Sequence, residues 1–161
     1  MKTLRALPKG RIAAGAGAVY LAYGGATYLD LKSGLPTILC WVGGLLLGLP
    51  FALLADRPLL TWRLTWLACA VTGLAVQAHH RTPFSWHPAL LAAQLVILVV
   101  ISLRFPYAVS AWTYLSMVAL IALSFYSADW LPISLIVAVI MGVAVLIGAT
   151  RRRAQARRAI A

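Results

Sequence analysis

Six apolar stretches alternate with short polar junctions along the chain, at residues 12–29, 35–55, 59–78, 88–103, 108–128 and 131–150. Most come near the ~20 residues an α-helix needs to cross a hydrocarbon core of ~30 Å. The junctions differ in charge. Lys2, Arg5, Lys9 and Arg11 precede the first stretch, Arg57 and Arg63 mark the junction of the second and third, and Arg104 that of the fourth and fifth. Arg151, Arg152, Arg153, Arg157 and Arg158 follow the last, so only Lys32 and Arg81 fall at the alternate junctions. Twelve of the fourteen Lys and Arg residues thus lie on one side of an alternating path. Basic residues are retained on the cytoplasmic side of a membrane. The pattern therefore predicts an all-α integral membrane protein, a bundle of six transmembrane helices with both termini cytoplasmic. Residues 1–150 form the membrane domain in this reading, and 151–161 begin a cytoplasmic helix.

Within the stretches, small residues recur at helical spacing. Ala14, Ala18, Ala22 and Ala26 fall every four residues, with Gly17 and Gly25 beside them. A basic start followed by such a run also has the form of a secretory signal, whose removal would leave five spans; the stripe favours a retained helix. Cys40, Gly44, Gly48 and Ala52 share one face of the second stretch, and Thr61, Thr65, Cys69, Gly73 and Gln77 one face of the third. Ser134, Ala138 and Gly142 do so in the sixth. Small side chains let helix backbones approach closely in lipid, so these faces are expected inside the bundle, with Leu, Ile and Val outward. Pro36, Pro58, Pro88 and Pro132 mark helix starts, and Pro50 is expected to bend the second helix.

Composition narrows the function classes. A chain 63% apolar and 11% charged lacks the polar surface of a soluble domain. The formal charge of +11 invites nucleic acid as a partner, but the basic residues flank apolar stretches, where anionic inner-leaflet lipids attract them. The bilayer is the expected partner and nucleic acid is not. Cys40 and Cys69 both lie inside apolar stretches and read as small packing residues.

The three acids, Asp30, Asp56 and Asp129, all lie at stretch ends. Proton-coupled pumps rely on a carboxylate within the membrane, so this arrangement argues against a pump. No nucleophile–base pair, phosphate-binding glycine loop or metal-ligand spacing occurs, and neither catalytic residue nor metal is expected. The candidate sensing groups are polar residues in unusual places. Arg63 sits about one turn inside the third stretch, where its stem can snorkel to the interface or its head can pair with Asp56 or lipid phosphate. Gln77 and Gln94 are set well inside, suited to interhelical hydrogen bonds. His79, His80 and His87 cluster with Arg81 at one junction. Imidazoles there can titrate between about pH 5 and 8 or hold a metal, but no Cys, Asp or Glu falls in the same junction and Arg81 would repel a cation, so polar interface anchoring is the default role.

From Ala149 onward the last stretch runs into Thr150-Arg151-Arg152-Arg153-Ala154-Gln155-Ala156-Arg157-Arg158-Ala159-Ile160-Ala161 without Gly or Pro. These are mostly good helix formers, and the sixth helix is expected to leave the membrane unbroken. That exit, the Leu49-Pro50 and Asp56-Arg57-Pro58-Leu59 turn, the start Pro88-Ala89-Leu90-Leu91 and the turn Arg104-Phe105-Pro106 together resemble the membrane-spanning N-terminal region of actinobacterial sensor histidine kinases of the DesK type, which partner NarL-type response regulators. The resemblance implies a homodimeric sensor module that passes an envelope or bilayer stimulus through its last helix to a kinase core. The phosphorylated His, the ATP-binding domain and the response-regulator contact would all belong to that core, which lies outside this sequence. ATP and Mg are accordingly expected only there, and no cofactor in this region. His79, His80 and His87, assigned to the outer face, are not the phosphoacceptor. A small multi-span transporter or channel and a membrane scaffold subunit are the alternative readings.

Overall fold

Alanine- and leucine-rich runs with proline confined to their edges favour helix, and six α-helices form along the apolar stretches: α1 (Lys9–Ser33), α2 (Thr37–Gly48), α3 (Pro58–His80), α4 (Pro88–Arg104), α5 (Tyr107–Ser124) and α6 (Leu131–Ile160). They come from a computed structural model that describes residues 9–80, 87–124 and 131–160. Lys2, Arg5, Arg81 and Asp129 lie outside the described residues, as do the side chains of His79, His80 and Arg158. The helix ends follow local chemistry. Gly34 takes φ 63°, a left-handed conformation that stops α1 and suits a residue without Cβ. Ser33 Oγ donates to the Leu29 carbonyl at 2.5 Å and accepts the Leu35 N–H at 3.2 Å, which pins the turn into α2. Pro36 caps α2, and Pro58 and Pro88 open α3 and α4, where a missing N–H costs no helical hydrogen bond.

The six-span bundle does not survive in this structure. Among the described residues, two helical stretches are long and apolar enough to cross a membrane, Pro58–Ala78 in α3 and Ser134–Ala154 in α6. The second apolar stretch fails because of Pro50. Lacking an N–H and crowding the preceding turn, proline cannot continue the ladder; α2 ends at Gly48 after 12 residues, and the backbone tightens into a 3₁₀ segment, Leu49–Leu53. At 1.5 Å per residue, α2 spans only about 18 Å. α4 has 17 residues, and the apolar part of α5, Tyr107–Leu123, is equally short, so each falls a few ångströms below a ~30 Å core. α1 has 25 residues but is diluted by glycine, tyrosine and charge. The error lay in equating apolar stretch length with helix length: turn residues are apolar here too. With the sixfold count goes the parity argument that put both termini on one side.

The chain divides into two compact units, one comprising α1 to α3 with His87–Leu90, the other the rest of α4 with α5 and α6. In the first unit α1 and α2 pack backbone to backbone. A Cβ on Gly44 or Gly48 would come within 3.0 Å of the backbone of Ala22, and on Gly44 also of Ala26. Ala14, Ala18 and Ala26 are buried on the facing side, while Ala22 is half-buried. Phe51 turns its ring onto Gly17, where a Cβ would meet Cε1 at 2.8 Å, and this holds the 3₁₀ segment against α1. In the second unit Tyr114 lies over Gly142 and its hydroxyl donates to the Ala138 carbonyl at 3.1 Å, joining α5 to α6. Gly148 lies directly against Ser102, joining α6 to α4. Gly73 is buried on α3.

The outward faces are apolar. Leu64, Leu67, Val71 and Leu74 on α3 are exposed, as are Leu135, Ile136, Val139, Ile140, Val143, Leu146 and Ile147 on α6. Only 39% of the α3 stretch and 17% of the α6 stretch is buried, so neither is the enclosed central helix of a globular core. The interior is apolar as well, but on α3 the buried side chains include three hydroxyls and a thiol, those of Thr61, Thr65, Thr72 and Cys69, beside Ala68 and Val76.

Candidate functional site

Helices α1 and α3 begin at the same end of the first unit, because α2 and the 3₁₀ segment return the chain. Asp56, just ahead of α3, accepts hydrogen bonds from Arg11 Nε at 3.0 Å and from the same guanidinium's terminal nitrogen at 2.8 Å. The pair is half exposed, and such pairs contribute about 0–1 kcal/mol. Its consequence is electrostatic placement. The carboxylate is taken by Arg11, not by Arg63, which corrects the pairing considered for Arg63. Arg63 is exposed on α3, and Arg57 is exposed beside it; among the described residues neither guanidinium has an acidic partner. Two buried polar atoms near this end have no hydrogen-bond partner, Trp62 Nε1 and Thr65 Oγ1.

His87 occupies the opposite end of α3. It immediately precedes Pro88, and its Nδ1 accepts the Ala89 N–H at 3.2 Å, the role an N-cap side chain plays toward an otherwise unpaired helical donor. An Nδ1 that accepts leaves the proton on Nε2. The imidazole edge meets the Tyr28 ring at 5.3 Å between centroids, inclined at 75°, and a Cβ on Gly24 would touch its Cε1 at 3.4 Å. The side chain therefore holds the start of α4 against α1. Nearby on the same helix, Asp30 accepts from Thr37 Oγ1 at 3.2 Å. Gln77 is half-buried, and Gln94 is fully enclosed. Gln94 lies on α4 in the other unit. Among the described residues no group of three His, Cys, Asp or Glu side chains is arranged to hold a metal. Cys40 and Cys69 are buried, and neither is in a disulfide; the Cys40 thiol donates to the Leu35 carbonyl at 3.5 Å.

At the exit, α6 runs as one helix of 30 residues through its apolar part into the basic tail. Arg151, Arg153 and Arg157 are exposed. Arg152 is half-buried and donates to the carbonyl of Phe105, in the turn between α4 and α5. This contact spans 47 positions of sequence and Arg11–Asp56 spans 45, so no local spacing signals either. The Pro106 that follows Phe105 leaves that carbonyl at a helix end, the one hint the sequence carries.

Comparison of the chain with protein-family models, curated proteins and solved structures finds no match. What the protein does must therefore be argued from its own residues.

Proposed function

We propose that this chain is a membrane-embedded sensor module of a two-component histidine kinase, homodimeric, with its basic helix ends in the cytoplasm. The observation that carries the reading is the continuity of α6, apolar from Leu131 and basic from Arg151, with no break at the crossover. A rigid helix transmits tilt, rotation or piston motion across the interface, whereas a loop there would dissipate it. Arg152 ties the crossover to the Phe105 turn, so a change in the packing of α4 or α5 is delivered where the helix leaves the apolar layer. A stimulus acts on such a device by biasing two packings of the helices. The large exposed apolar faces of α3 and α6 suit lipid, and the exposed Arg151, Arg153 and Arg157 of the α6 exit suit retention at the cytoplasmic surface.

The homodimer is read from α6 as well. Ile136, Ile140, Val143 and Ile147 are exposed and follow the alternating four- and three-residue spacing of a coiled-coil seam. Along that seam a second copy would pack in parallel and bring two basic exits side by side, ahead of a dimeric kinase core that would hold ATP and Mg and phosphorylate a response regulator.

The test is the size of the native protein. An antibody against residues 1–9 is expected to detect, in the cells of origin, a band far above 17.3 kDa, with phosphotransfer to a response regulator lost when the continuation is deleted. A band near 17.3 kDa overturns the kinase reading and leaves transport or scaffolding.

A further inference from the structure

The break at Pro50 has a second effect. The 3₁₀ segment that follows it, the end of α2 and one face of α3 border an open hollow of about 440 Å³, within the ~300–1,000 Å³ range of small-molecule sites. Leu46, Leu49 and Leu53 form one wall, and Leu64, Leu67 and Val71 the other. All six are exposed, and the lining is almost entirely apolar. Ala52 and Ala68 supply the room, since any larger side chain at either position would reach into the hollow. Water gains nothing from such walls, and an apolar patch of this kind marks a surface meant to be covered.

The end of the hollow at Leu53 and Leu64 is the basic end of the unit. The Arg57 N–H bonds the Leu53 carbonyl at 2.7 Å, so Arg57 begins where that wall stops. Arg63 precedes Leu64 and stands one helical turn before Leu67, at the edge of the groove-facing side of α3. Both guanidiniums are exposed, and the acid nearest in sequence, Asp56, is held by Arg11. Neither arginine lines the slot, but each directly adjoins its lining at this one end, Arg63 beside Leu64 and Arg57 bonded to Leu53. An apolar slot with cations next to its end matches an amphiphile with an apolar tail and an anionic head. We infer that the hollow between the 3₁₀ segment and α3 holds an acyl chain of an anionic phospholipid, with its phosphate on Arg63 and Arg57. The inference rests on the membrane reading above, and it gives Arg63 a ligand in place of Asp56.

The experiment has two readouts on the full chain. First, the protein is mixed with phosphatidylcholine vesicles and floated on a density gradient. Second, it is purified in mild detergent with equal phosphatidylglycerol and phosphatidylcholine of identical tails, and retained lipid is counted by native mass spectrometry. The expected result is flotation, one retained lipid per chain, and a preference of about tenfold for phosphatidylglycerol, the factor that one or two charge-assisted hydrogen bonds provide. The double variant Arg57→Gln and Arg63→Gln is expected to retain lipid without preference. Ala52→Phe, at an exposed position, is expected to lose retention of both lipids while helix content by circular dichroism stays constant. Glycerophosphoglycerol, the head without tails, is expected not to compete. Failure to float overturns both the membrane reading and the site. Flotation with an undiminished preference in the arginine variant, competition by the free head group, or unchanged retention in Ala52→Phe overturns the site alone; so does a disulfide-linked dimer formed by Ala52→Cys under an added oxidant.

Discussion

Gly44 and Gly48 set how near two backbones come, and nothing larger fits at either position. A side chain at Gly48 would collide with backbone atoms of Ala18 and Ala22, which cannot move without shifting α1. Gly48→Leu is expected to destabilise the first unit by roughly 1–3 kcal/mol, the usual cost of overpacking, seen as a lowered thermal midpoint in detergent; Val19→Leu, at an exposed position, is the matched control and is expected to leave the midpoint unchanged. His87 makes a different contribution. Removing its ring strips the Ala89 N–H of its acceptor and Tyr28 of its edge contact, so His87→Ala is expected to cost about 1 kcal/mol, the scale of a lost N-cap, with faster amide exchange at Ala89. The four-residue spacing made the small-residue stripes legible. The role of His87 was not, because its partners Gly24 and Tyr28 are distant in sequence and an imidazole cap resembles no common capping pattern.

At the scale of the elements, Pro50 decides most. Pro50→Ala restores the missing N–H, and hydrogen exchange across residues 50–54 is expected to slow as the α2 ladder runs on. That proline bends a helix follows from its ring; that the bend becomes a 3₁₀ segment turned onto Gly17 through Phe51 depends on a neighbour no local pattern identifies. Gly148 plays the corresponding part in α6. Its contact with Ser102 leaves no space for a side chain, and Gly148→Leu is expected to separate α6 from α4. Measured by spin-label distances between the two helices, the gap is expected to widen by a few ångströms, and Arg152 to lose its hold on Phe105. An unchanged distance would show that the approach of α6 to α4 is set elsewhere.

For the whole molecule, the continuous exit helix makes a phase prediction. One alanine inserted after Thr150 turns everything beyond it by about 100° at 3.6 residues per turn, whereas seven inserted residues nearly restore the facing. If α6 carries the signal by rotation, the output of the native protein, read as response-regulator phosphorylation, is expected to change sharply with one insertion and recover with seven. Equal output from both would mean that α6 anchors and does not signal.

The alternation of apolar stretches and charge by itself determined that this chain is all helix, where its helices lie, and that its basic residues gather at stretch ends; local propensity, proline and glycine act within a few residues and are written in order. How many of those helices are long and apolar enough to cross a membrane was decided by the folded chain, because helix length depends on where turns consume apolar residues, as at Leu35, Pro36 and the 3₁₀ segment. Which partners the charges take was also a tertiary matter. Arg11 reaches Asp56 and Arg152 reaches Phe105 only after the intervening helices have folded back, and the first of these pairings leaves Arg57 and Arg63 without an acidic partner among the described residues.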